Sequence, residues 1–194
     1  MRPVLLAVTM CAAFVGCTHA GKASSDTTVI VRDTVVTPLR PVPPPPITRT
    51  VALTFDGIAP LRIGMSVDQA RAAVPGFALR KGADEMACGY AATSGFPRGV
   101  TVMVDRGSVR RVDVDTPDMP TGEGARVGDT EQRVRSLYPG VVSTPHKYAD
   151  RGHYLTVRNP ADTMQQVIFE TDGLHVLRLR AGRMPQVAYV EGCS

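Results

Sequence analysis

The chain has 194 residues, 43% of them hydrophobic and 21% charged. This composition excludes a mostly disordered chain, a collagen-like fibre and a many-span membrane protein, and allows one domain with a segment to spare. The formal charge of +4 lies mostly before residue 51, because 51–194 holds 17 basic and 16 acidic side chains; a near-neutral body with 5% aromatics lacks the phosphate-neutralising surface of a nucleic-acid binder, and no such partner is expected.

The first element is a leader. Arg2 precedes a run of 13 mainly apolar residues, Val4 to Gly16, shorter than the roughly 20 needed to span a bilayer and of the length of a signal sequence. The run ends Phe14-Val15-Gly16-Cys17, which resembles the lipobox of bacterial lipoproteins, although Phe14 stands where Leu is usual. The resemblance implies cleavage after residue 16 and acylation of Cys17, with several acyl chains as a lasting membrane anchor. By the same resemblance, Thr18, where an Asp would favour inner-membrane retention, implies an outer-membrane lipoprotein with a periplasmic domain. Cys11 follows the bulky Met10 and is the poorer candidate.

Residues 17–50 read as a tether. Pro38, Pro41 and Pro43 to Pro46 favour polyproline II, which rises about 3.1 Å per residue. Within the tether, Thr28 to Val36 has strand-like composition and is a candidate added strand.

The body, 51–194, reads as a duplicated unit, about 57–120 and 121–194. Arg62 to Gly76 aligns without gaps on Arg126 to Gly140 at an offset of 64, with five of fifteen positions identical. Ser66 and Thr130 are N-cap residues, Gln69 completes a capping box, and Pro75-Gly76 and Pro139-Gly140 stop each helix after about two turns. The expected helices cover about 67–74 and 131–138, with apolar stripes Ala70, Ala73, Val74 and Val134, Leu137, Tyr138. Strands follow at 86–93, 100–105 and 109–115, then at 154–158, 167–171 and 174–180, and a seventh is expected at 186–190. At an offset of 67, Val100, Val102 and Val112 pair with Val167, Phe169 and Leu179 as core positions. The fold class is α+β: two tandem α-β-β-β units forming one antiparallel sheet, short helices on one face.

This pattern of apolar residue, Gly, Met or Asp, Ser or Thr, short helix and Gly, followed by a β-meander, resembles the unit of the BamE/SmpA-type envelope lipoproteins and of the tandem-repeat β-lactamase inhibitor protein. Asp129 stands where Met is usual, and the inhibitor's disulfide pattern is absent. The resemblance implies a scaffold that contacts other proteins.

With Cys17 acylated, Cys88 and Cys193 remain, and an oxidising compartment pairs them; the rival reading is a catalytic or metal-bound thiol. His146, His153 and His175 form no zinc motif. Asp113-x-Asp115-x-x-Asp118 has the opening of a calcium loop but meets Pro117 and Gly124 where ligands are needed. Gly122-x-Gly124-x-x-x-Gly128 has the wrong spacing for a dinucleotide loop, and no G-x-S-x-G supplies a nucleophile. Neither a metal, a cofactor nor an enzymatic activity is therefore expected. Alternation places Thr101, Met103, Val109, Arg111 and Asp113 of the first unit, and Ile168, Glu170, Val176, Arg178 and Arg180 of the second, on the sheet face away from the helices. Of these, Met103, Arg111, Asp113, Ile168, Glu170, Arg178 and Arg180 are the expected contacts with an envelope protein, with Arg111 and Arg178 facing solvent. The alternative function is binding of a small ligand, glycan or cell-wall fragment in a pocket.

Overall fold

The computed structural model describes residues 51–80, 84 and 86–193. The leader, Cys17, the tether and its Thr28–Val36 segment lie outside the described residues. Among those described, no helix is long and apolar enough to cross a membrane.

Among the described residues there are two α-helices, α1 (Val67–Ala73) and α2 (Glu131–Leu137), each ending one residue short of expectation. Each is too short to persist alone and depends on its cap and buried stripe. The Ser66 hydroxyl accepts from the Gln69 N–H at 3.2 Å, and the Gln69 side chain accepts from the Ser66 N–H at 2.9 Å. Thr130 accepts from the Arg133 N–H; such caps contribute about 1 kcal/mol each.

Three two-residue strands, β1 (Leu53–Thr54), β2 (Gly57–Ile58) and β3 (Leu61–Arg62), make a small sheet. The large sheet holds β4 (Ala78–Leu79), β5 (Gly89–Ala92), β6 (Val100–Asp105) and β7 (Ser108–Val114), then β8 (Val142–Pro145), β9 (His153–Arg158), β10 (Gln165–Thr171) and β11 (Val176–Arg183). Its order is β4-β5-β6-β7-β11-β10-β9-β8, with every pairing antiparallel. Each helix is thus followed by four strands rather than three, and the units meet last strand to last strand, β7 against β11.

The same backbone bonds recur in both units. Gly64 N–H donates to Val109 O, Val109 N–H to Met65 O and Val67 N–H to Gly107 O. In the second unit Gly128 donates to Val176, Val176 to Asp129 and Glu131 to Leu174. The last strand of each unit thereby clamps the entry to its helix. Gly64 and Gly128 turn the chain there with φ of 94° and 90°, a conformation that other residues adopt only with strain.

Both helices pack on the same sheet face. Val67, Ala70 and Val74 share a cluster with Val134, Tyr138, Val102, Val112, Phe169 and Leu179, all buried. Two strand positions depart from alternation. Val109 and Val176, expected on the opposite face, are 0% and 1% exposed in that core. The reason is a register shift in each unit, between Met103 and Val104 and between Glu170 and Thr171; one extra residue inverts the facing of all that follow.

Candidate functional site

The sheet face opposite the helices is not bare. The chain after β11 turns back over it: the expected seventh strand is instead a 3-10 turn, Gln186–Ala188, that begins a strap running to Cys193. Proline at 185 lacks the N–H for a ladder, and the apolar Val187 finds its partners beneath it. Val187 is fully buried against Ile168 and Tyr154, with Met184 and Val190 beside them.

Further attachments hold the strap, among them Gln186 Nε2, which donates to Asp105 Oδ2 at 2.7 Å. Arg111 donates Nη1 to the carbonyls of Gln186 and Tyr189 at 3.0 and 2.7 Å. Glu191 receives Lys147 Nζ at 2.5 Å and the Tyr148 hydroxyl. Cys193 is disulfide-bonded to Cys88, with Cα atoms 5.3 Å apart.

Beneath the strap lies a chain of charged groups. Arg111, 3% exposed, also donates Nε to Asp113 Oδ2 at 2.9 Å and Nη2 to the Tyr90 hydroxyl at 3.3 Å. Burial pushes the Asp113 carboxyl above its ordinary value, with Arg111 pulling it down. Arg180, equally buried, reaches Glu170 at 3.4 Å and sits over the Tyr154 ring. Its Nε finds no hydrogen-bond partner among the described residues, and a buried donor left unpaired costs about 1–3 kcal/mol. Glu170 is also bonded to His146 Nε2 at 3.0 Å. Backbone N–H groups of Tyr148 and Ala149 point at His146 Nδ1, so the ring proton sits on Nε2 and is donated to Glu170.

Gly182 makes this arrangement possible: it faces Arg111 across β7–β11, and a Cβ there would lie 2.5 Å from Arg110 O and 3.0 Å from Arg111 Cα.

The expected contact residues therefore stand differently from one another. Register places Met103, Arg111, Asp113, Ile168, Glu170, Arg178 and Arg180 on the face away from the helices. Met103, Arg111, Ile168 and Arg180 are buried, Asp113 and Glu170 half-buried, and Arg178 exposed. Arg111 does not face solvent; the strap, absent from strand-by-strand reasoning, covers it and satisfies it.

Of the depressions that border the strap, two lie over the sheet. One, of about 240 Å³, lies over β6, β7 and β11 and is lined by Arg80, Arg111, Arg178 and Arg180 with Tyr90, Thr101, Asp113, Asp115 and Glu191. The other, of about 230 Å³, lies over β8–β10 and is more apolar, with Val142, Tyr154, Ile168, Met184, Ala188 and Val190. Beside the second is β8, the last strand of the sheet, with all four residues exposed. His146 N–H donates to Gly152 O at 2.9 Å, and continuing that register puts Val142 and Thr144 in the bonded pairs with β9. The main-chain groups of Ser143 and the carbonyl of Pro145 then point away from the sheet. Sequence reasoning missed this edge, because four residues containing Pro give no strand signal.

Among the described residues, no group of three or more His, Cys, Asp or Glu is placed to hold a metal ion.

No family model and no curated protein matches the chain. Among solved structures, the crystal structure of the uncharacterized protein YfeY from Escherichia coli is similar, at 13% identity and a TM-score of 0.46, over 68% of this chain and 99% of that one. A likeness at that level carries no inference about the site.

Proposed function

We propose that the protein is a non-enzymatic, membrane-anchored envelope lipoprotein that binds another envelope protein along the open edge of β8. The observation that carries this is that β8, exposed at all four residues, is an edge strand of the sheet beside the apolar groove that flanks the strap. Only an extended main chain can meet such an edge with matched donors and acceptors, and alternate side chains of that segment would enter the groove. The lipobox-like Phe14-Val15-Gly16-Cys17 supports the anchor, and a lipid anchor with a tether gives the domain reach to a partner held in the same membrane.

The test is crosslinking in intact cells from a photoreactive residue at position 142, in the parent and in Ser143→Pro. Proline at 143 removes only an outward N–H, so the β8–β9 ladder stays paired while an added strand loses its bond. A defined crosslinked peptide present in the parent and lost in the variant, with the thermal midpoint unchanged, supports the reading. A crosslink that survives Ser143→Pro, or none in the parent, refutes it. In the same cells Cys17→Ser should release the protein from membranes.

A further inference from the structure

We infer that the depression over β6, β7 and β11 is a binding site for an oxyanion, a carboxylate or phosphate group of a small molecule. This goes beyond the proposed protein contact and does not depend on it.

Four guanidinium groups line this one small space, Arg111 from β7, Arg178 and Arg180 from β11, and Arg80 just after β4. Carboxylates are present too, but two of the three are already engaged: Asp113 by Arg111 at 2.9 Å, and Glu191 by Lys147 and Tyr148. Asp115 is exposed. On the cationic side, Arg178 and Arg80 have no carboxylate within ion-pair distance among the described residues, and Arg180 has one long pair and an unpaired Nε. Positive charge is thus left over where it lines a concave wall, and planar guanidinium groups match the spacing of carboxylate and phosphate oxygens.

The two hydroxyls in the wall point the same way. Thr101 Oγ1 accepts from Arg80 Nη2 at 3.4 Å, and the Tyr90 hydroxyl accepts from Arg111 Nη2 at 3.3 Å. Each oxygen takes an arginine hydrogen and keeps its own to give, so an acceptor is the complementary ligand. Burial and the neighbouring Arg111 charge push the Arg180 guanidinium below its ordinary value, a strain that a bound anion relieves. The volume of about 240 Å³ admits a small ion or one end of a larger molecule.

The test is titration of the full chain with inorganic phosphate and, separately, with succinate, at ionic strength held constant with chloride, followed by calorimetry and amide chemical shifts. Saturable binding of either probe is expected, weakened about 10-fold by Arg178→Gln and by Arg80→Gln, each exposed and free of structural ion pairs, since one charge-assisted bond contributes about that factor. Arg126→Gln, exposed and outside the depression, should leave affinity unchanged. Preference for phosphate or for succinate then identifies which oxyanion the site takes. No saturable binding of either probe, or equal weakening by Arg126→Gln, overturns the assignment. Ser143→Pro should not alter the titration, so failure at β8 and failure here are separable.

Discussion

Arg111 is the side chain on which the strap depends, and replacing it with Met removes its charge while keeping much of its stem. The variant leaves Asp113 without its 2.9 Å partner and strips the Gln186 and Tyr189 carbonyls of their donor. Removing one member of a buried ion pair costs about 3–5 kcal/mol. With a urea dependence of about 1–3 kcal/mol per molar for a domain of this size, the unfolding midpoint should fall by on the order of 2 M. Tyrosine fluorescence and circular dichroism follow the transition, as the chain contains no Trp. Arg178→Met, on the same face but exposed, should stay within about 0.5 kcal/mol of the parent. Acidity supplies a second check. Burial already raises the Asp113 pKa above 3.8; a raised carboxyl means that the folded chain binds its proton more tightly than the unfolded one. That contribution is fully present below 3.8 and is lost as pH rises through the folded-state value. Without Arg111 the pKa rises further, so the penalty of Arg111→Met should be largest at neutral pH and shrink toward 3.8. Equal midpoints for Arg111→Met and Arg178→Met, or a penalty that does not shrink in acid, would refute the buried-network reasoning.

The remaining predictions concern the disulfide and the start of α2. The Cys88–Cys193 bridge closes a loop of 105 residues, for which chain entropy gives about 4.8 kcal/mol; the Cys88→Ser, Cys193→Ser double variant should lose several kcal/mol in urea titration, and a loss below about 1 kcal/mol would mean that the strap is held without it. Glu131 is pushed up by burial, but the Thr171 hydroxyl, His153 and Arg135 outweigh this and hold it below its ordinary 4.5. A lowered carboxyl stabilises above 4.5 and the benefit is lost as pH falls through the folded value, so Glu131→Gln should cost about 1 kcal/mol at neutral pH and nothing in strong acid, read from midpoints across that window. An unchanged difference at both ends would contradict it.

Much of the body was legible in the sequence because the signals are local. Ser66 with Gln69, Thr130, and the Pro-Gly pairs at 75–76 and 139–140 act within a turn or two of the chain, and they place both helices to within a residue. The offsets of 64 and 67 carry the duplicated order of elements, and alternation at Val100, Val102, Val167 and Phe169 names the core correctly. Pairing Cys88 with Cys193 followed from counting thiols. Other features depend on contacts that no local window contains. The shifts at Met103/Val104 and Glu170/Thr171 turn Val109 and Val176 inward because the partner strand, not the strand itself, sets where a residue is left unpaired. The strap crosses the outer face through bonds between Arg111 and residues 75 and 78 positions later, and that distant backbone decides that Arg111 and Arg180 are buried while Arg178 is not. Alternation tells which face a side chain takes; only the packed chain tells what lies on that face, because burial is a property of whatever comes to rest there.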